Sequence, residues 1–258
     1  GGVIAAYLRW MEAGSVSPQT LRLRENHLGR FARSHDLLGA TGDDIVAYLR
    51  RQEWKPATAA SFRSSLSSFY KWALDEGLID ANPLKSVRNV RVPPAAPKIA
   101  TAAALDEALA KASRRDRLAV MLAAYAGLRR GEIAGIHSRD VDDDWLRITG
   151  KGGRTRRVPI HPEIRDEVLR ARAIGGYFFP DRAGDGSVTP DAMGRRIARL
   201  LPDGLTAHSL RHMFATRTYN HSHDLRAVQT LLGHSSLATT QIYLHSDEEQ
   251  LKSAVFGT

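Results

Sequence analysis

The sequence predicts a mainly α-helical protein with a small β-sheet, arranged as two domains. Three observations carry this. Apolar residues recur at helical spacing along most of the 258 residues. Near the middle, two short β-prone runs, 145–148 and 155–160, flank a glycine-rich turn. Between the halves, residues 91–101 contain Pro93, Pro94 and Pro97 with little periodicity, the composition of an extended, semi-rigid connector. The first domain is therefore placed at 1–90, the linker at 91–101 and the second domain at 102–258.

The first domain reads as four helices. The stretch 3–11 carries Ile4, Tyr7, Leu8 and Met11 at helical spacing. Ser17-Pro18 opens a second helix running towards Arg33, and Asp43-Asp44 supplies the acidic start of a third over 45–51. Pro56-Ala57-Thr58 starts the fourth, which Gly77 ends. Within it Phe62, Leu66, Phe69, Tyr70 and Ala73 form one apolar stripe, while Arg63, Ser64, Ser67 and Lys71 face away. The stripe is core; Arg63 and Lys71 lie on a face that is either solvated or in contact with phosphate.

In the second domain, 102–112, 115–126 and 131–136 read as helices, with Arg129 in the break between the last two. Lys151 rides the hairpin turn Gly150-Lys151-Gly152-Gly153 and is the only lysine between Lys111 and Lys252. Arg154, Arg156 and Arg157 read as a basic hairpin, either solvated or touching phosphate. A helix over 162–173 leads to Tyr177, Phe178 and Phe179, assigned to the core, and a further helix covers 190–201. Asp142-Asp143-Asp144 reads as a solvated turn and not as a metal site.

The formal charge of +9 favours a polyanionic partner, of which nucleic acid is the commonest for a soluble chain. Both halves share the bias, with 12 basic against 9 acidic residues up to Arg88 and 25 against 19 from Arg91 onward, as suits a protein gripping DNA between two domains. The absence of cysteine excludes disulfides and thiolate metal sites, and the ten histidines have no metal-ligand spacing. No run of apolar residues is long enough for a membrane span, and no basic-then-apolar leader is present, so a cytoplasmic, nucleoid-associated protein is expected. The sequence opens on Gly1 without a methionine and is expected to begin inside a longer reading frame or after a removed tag.

The chemistry concentrates in 206–246. His208 and Arg211, three apart, project from one helix face and together suit an oxyanion. Gly233 reads as a helix stop and Ser235-Ser236 as the cap of the next helix, which places His234 beside a helix N-terminus, where free N–H groups and partial positive charge favour phosphate. Tyr243 follows about two turns later. A phenol with a pKa near 10 becomes a nucleophile only when cations stabilise its anion or a base takes its proton. Taken alone, 224–245 also reads as an ordinary helix-turn-helix that docks on DNA.

His208-Ser209-Leu210-Arg211-His212, Leu232-Gly233-His234-Ser235 and Thr239-Thr240-Gln241-Ile242-Tyr243 resemble the C-terminal signature of the tyrosine recombinases, the phage-integrase and Xer family. Upstream, Ala126-Gly127-Leu128-Arg129-Arg130-Gly131-Glu132-Ile133 resembles the family's first arginine motif. Ile148-Thr149-Gly150-Lys151-Gly152-Gly153 with Arg156-Arg157-Val158-Pro159-Ile160 resembles its lysine hairpin. The resemblance implies a helical SAM-like core-binding domain that clamps DNA, followed by a tyrosine recombinase catalytic domain. It implies the catalytic set Arg129, Lys151, His208, Arg211, His234 and Tyr243, supported by Glu132, with no cofactor and no metal. DNA contacts are expected from Arg63, Lys71, Arg154, Arg156, Arg157 and His212. The implied partners are double-stranded DNA and three further copies, a homotetramer on two DNA sites. The apolar residues of the tail, Leu251, Ala254, Val255 and Phe256, are expected to dock on a neighbouring subunit.

Cleaving a phosphodiester in line requires a nucleophile, charge on the non-bridging oxygens and a proton for the leaving 5′ oxygen. The resemblance assigns Tyr243 to the first role, Arg129, Arg211 and His234 to the second and Lys151 to the third, with His208 helping to deprotonate Tyr243. A type IB topoisomerase and a DNA-binding regulator that does not cleave are the alternatives. Among recombinases, integration or excision competes with Xer-like dimer resolution.

Overall fold

The computed structural model describes residues 2–51, 53–93, 97–150 and 153–233. The chain divides into two compact units, Gly1–Ala95 and Ala96–Thr258.

The first unit holds α1 (Gly2–Ala13), α2 (Pro18–Ala32), α3 (Gly42–Arg51) and α4 (Pro56–Asp75), followed by a 3₁₀ turn (Pro83–Ser86). Ser17 caps α2 by accepting the Thr20 amide, and Pro18 fills the first turn, where its missing N–H costs nothing. α3 starts earlier than its acid pair suggests, because Thr41 and Asp44 cap it reciprocally: Asp44 accepts the Thr41 amide at 2.9 Å, and Thr41 accepts the Asp44 amide at 3.2 Å. Gly77, at φ +67°, ends α4, and the Leu78 amide reaches back to the Ala73 carbonyl at 2.8 Å. Phe62, Leu66, Phe69, Tyr70 and Ala73 are buried against Tyr7, Leu28, Phe31 and Ile45.

In the second unit, α5 (Ala102–Lys111), α6 (Arg114–Tyr125) and α7 (Arg130–Gly135) precede β1 (Val141–Asp142), β2 (Trp145–Thr149) and β3 (Thr155–Pro159). Then come α8 (Pro162–Ile174), α9 (Pro190–Ala198), α10 (Ala207–Ser222) and α11 (Leu225–Leu232). The sheet is antiparallel in the order β1-β2-β3, with Leu146 opposite Val158 and Ile148 opposite Arg156. α6 is buried at every position from Leu118 to Ala124 and forms the centre against which α10 packs. The sheet adds Leu146, Ile148 and Val158 to this core, which also holds Phe178 and Phe179.

Several expectations are corrected here. The sheet has a third strand, β1, which the sequence pattern does not reveal. Tyr177 is only half-buried and meets the His137 ring edge-on, while Phe178 and Phe179 lie inside. The acidic run at 142–144, by contrast, is exposed and forms the β1–β2 turn, as expected, while also making surface ion pairs, Asp142 with Arg157 at 3.6 Å and Asp144 with Arg165. Among the described residues no helix is long and apolar enough to cross a membrane.

Candidate active site

The site grows from the turn between α6 and α7. α6 ends at Tyr125, and Gly127 follows at φ +63°, a region that only glycine enters without strain. A Cβ there would lie 2.4 Å from Cδ1 of Phe214, so α10 also occupies the space a side chain would need. This turn buries Leu128 and leaves Arg129 as the N-cap of α7.

Glu132, at the third position of α7, accepts the Arg129 amide at 2.9 Å through Oε2, which caps the helix. The same carboxylate accepts from Nη1 of Arg129 at 3.0 Å. Glu132 is thus both the acid at the start of the helix and the support of the arginine.

Two further guanidiniums join it. Arg156, on β3, donates Nη1 to Oε1 and Nη2 to Oε2 of Glu132, each at 2.8 Å. This is the bidentate fork that arginine makes best with a carboxylate. Nη1 of Arg211 stands 3.9 Å from Oε2. Burial pushes the Glu132 carboxyl up, but the bonds and charge of Arg156, the Arg129 amide and the Arg211 charge outweigh it, so the net pKa lies below the ordinary carboxylate value.

Arg211 is fully buried. Its Nη1 donates to the Gly127 carbonyl, and its Nη2 donates to the Leu232 carbonyl at 2.6 Å. Leu232 is the last residue of α11, which Gly233 ends at φ +63°. Nε of Arg156 donates to the neighbouring Leu231 carbonyl at 2.7 Å. Two arginines thus satisfy carbonyls left over at the end of α11.

His208 sits in the first turn of α10, where Thr206 caps the helix and accepts the His208 amide. Desolvation, Arg211 and Arg129 all lower its pKa, so the imidazole is held neutral and can accept a proton. His208 and Arg129 line a cleft of about 550 Å³ with Arg130, Asp191, Arg195 and Thr206. Arg130 and Arg195 are absent from the set that the sequence predicts. Arg130 pairs with Asp191 at 3.1 Å and crosses α9 at Gly194, where a Cβ would come within 3.1 Å of its Cδ. The doubled arginine at 129–130 is the signal that could have found it.

The expected DNA contacts divide. Lys71, Arg154 and Arg157 are exposed, although Arg157 also lies over the Trp145 ring and pairs with Asp142. Arg63 instead turns inward, giving Nη2 to the Val87 carbonyl at 2.7 Å and Nε to the Arg88 carbonyl at 3.1 Å, so it holds the end of the first unit together. Arg156 is neither solvated nor free for phosphate, since its side chain is 10% exposed and committed to Glu132 and Leu231. His212 is buried edge-on beneath His208, with ring centroids 4.2 Å apart, and desolvation, His208 and Arg211 lower its pKa to about 4. Lys151, His234, Tyr243 and the C-terminal tail lie outside the described residues.

Residues 98–250 match the family model of the phage integrases. A tyrosine recombinase XerD of Caulobacter vibrioides is 34% identical over 265 residues, covering 90% of this chain and 86% of its own. A tyrosine recombinase XerC of Xanthomonas campestris pv. campestris is 35% identical, covering 82% of this chain and 74% of its own. The fold is shared with a lambda integrase tetramer bound to a Holliday junction, at a TM-score of 0.77 and 22% identity, covering 93% of this chain and 76% of that one.

Proposed function

This chain belongs to the phage integrase family, and we propose that it acts as a site-specific DNA recombinase, cleaving and rejoining strands through a 3′-phosphotyrosyl link to Tyr243. The observation that carries this reading is the grouping of Arg129 and Arg211 on one buried carboxylate, Glu132, beside His208, whose pKa the same two arginines help to lower. Such a cluster concentrates guanidinium donors where a phosphate would gain negative charge.

In the proposed step Tyr243 attacks phosphorus and the bond to the 5′ oxygen breaks. His208 accepts the phenolic proton, and Lys151 gives a proton to the departing 5′ oxygen. Arg129, Arg211 and His234 donate to the non-bridging oxygens. A phosphotyrosine ester replaces a phosphodiester, so a different 5′ hydroxyl can reverse the reaction without ATP. Because Arg211 is fully buried, its contact with phosphate requires a rearrangement when DNA binds.

The first unit serves as the DNA clamp, its exposed Lys71 facing the backbone. Strand exchange between two sites needs four active sites, hence a homotetramer. The catalytic unit occupies 102–258, after the linker 91–101.

The test is a metal-free incubation with nicked genomic fragments, followed by denaturation. A covalent protein–DNA adduct is expected, absent in Tyr243→Phe, and sequencing the attached DNA yields the site. Tight DNA binding without an adduct would favour the non-cleaving regulator; adducts scattered without sequence preference, with relaxation of supercoiled DNA, would favour the topoisomerase.

A further inference from the structure

We propose that Arg156 is a positioning residue for strand cleavage, whose guanidinium joins the acid that holds Arg129 to the end of the helix that leads into His234. This rests on the recombinase reading above.

The geometry assigns all three arms of the guanidinium. Nη1 and Nη2 hold both oxygens of Glu132 at 2.8 Å, and Nε holds the Leu231 carbonyl at 2.7 Å. Glu132 in turn holds the backbone and the guanidinium of Arg129. α11 ends one residue after Leu231, and His234 follows Gly233 in the sequence.

The packing is as close as the bonding. A Cβ at Gly233 would lie 3.0 Å from Cδ of Arg156. On the other side, a Cβ at Gly150, the residue before Lys151, would lie 3.6 Å from Oε1 of Glu132 and 3.9 Å from Nη1 of Arg156. The Glu132–Arg156 pair is therefore flanked by the two chain segments that lead into Lys151 and His234, and it holds Arg129 directly.

A planar fork sets angles as well as distances, which a lysine cannot do. With Lys at 156 the charge beside Glu132 remains, but Glu132 loses one of its two fixed bonds and the α11 carbonyl loses its donor. Arg129 is then held less accurately against the phosphate. Misplacement of a charge-stabilising group by about 1 Å costs on the order of a hundredfold in rate.

The test compares Arg156→Lys, Arg156→Gln and, as reference, Arg129→Ala on two versions of the DNA site recovered by adduct sequencing. One carries the natural scissile phosphodiester. The other carries a methylphosphonate, in which a methyl replaces one non-bridging oxygen and removes the charge the arginines neutralise. Adduct formation is followed in single turnover, DNA affinity is measured separately in a Tyr243→Phe background, and thermal denaturation checks folding. Both Arg156 variants are expected to lose on the order of a hundredfold on the phosphodiester, with unchanged affinity, and to lose far less on the methylphosphonate.

Equal losses on the two substrates would mean that Arg156 supports the fold alone, and would overturn the proposal. Should Arg156→Gln unfold, Arg156→Lys decides by the same comparison. If Arg129→Ala itself shows no loss on the phosphodiester, the assignment of Arg129 to the phosphate falls, and the proposal falls with it.

Discussion

The Gly127 carbonyl accepts a hydrogen bond from Nη1 of Arg211, 84 positions along the chain. It fastens the turn that presents Arg129 to the helix that carries His208. Gly127 serves this contact in two ways: its left-handed conformation turns the chain, and its missing side chain admits Phe214.

Gly127→Ala is therefore expected to be far more damaging than an alanine at another left-handed glycine. At Gly77, φ is +67° and nothing lies within 4 Å of the place a Cβ would take, so Gly77→Ala meets only the backbone cost of roughly 1 kcal/mol. Gly127→Ala adds overpacking against Phe214, costing roughly a further 1–3 kcal/mol. Urea denaturation of the two variants measures the difference, and equal losses would refute this account of the turn.

Glu132→Gln keeps the shape of the side chain and removes its charge. Arg211 is fully buried and Arg156 nearly so, and both lose their counter-charge. Breaking a buried pair in this way costs about 3–5 kcal/mol. The pH dependence follows from the lowered Glu132 pKa. The stabilisation is present in full above the ordinary carboxylate pKa and is lost as pH falls through the lower folded value. The gap between parent and Glu132→Gln is thus expected to be widest at neutral pH and to close in acid, as denaturation across pH would reveal.

What is legible in the sequence is local. Arg129, Glu132, His208 and Arg211 sit in short motifs whose spacing within a turn or a helix face needs no knowledge of the fold. The role of Arg156 is hidden because its partners are remote: the Leu231 carbonyl lies 75 positions away. A signal is nevertheless present. On a strand, alternate residues share a face, and Arg156 alternates with the buried Val158, opposite the buried Ile148. Arg63 is hidden for a similar reason, since the carbonyls it satisfies belong to a turn beyond its own helix. β1 has two residues, too few for a periodic pattern.

The lowered pKa of His208 makes the last prediction. In the proposed step His208 accepts the phenolic proton and must be neutral to do so. Under that proposal the cleavage rate is expected to rise with pH through a midpoint below 6.5, the ordinary histidine value, and to be level around pH 7. Desolvation and the two neighbouring arginines set that midpoint. Removing one cation by Arg129→Gln relieves part of the repulsion against the imidazolium and moves the His208 pKa upward, towards 6.5. Titration of the His208 ring by proton NMR reads the shift directly, without relying on the residual activity of the variant. A His208 pKa that fails to rise in Arg129→Gln would show that Arg129 does not act on the base electrostatically, and that desolvation with Arg211 holds it neutral.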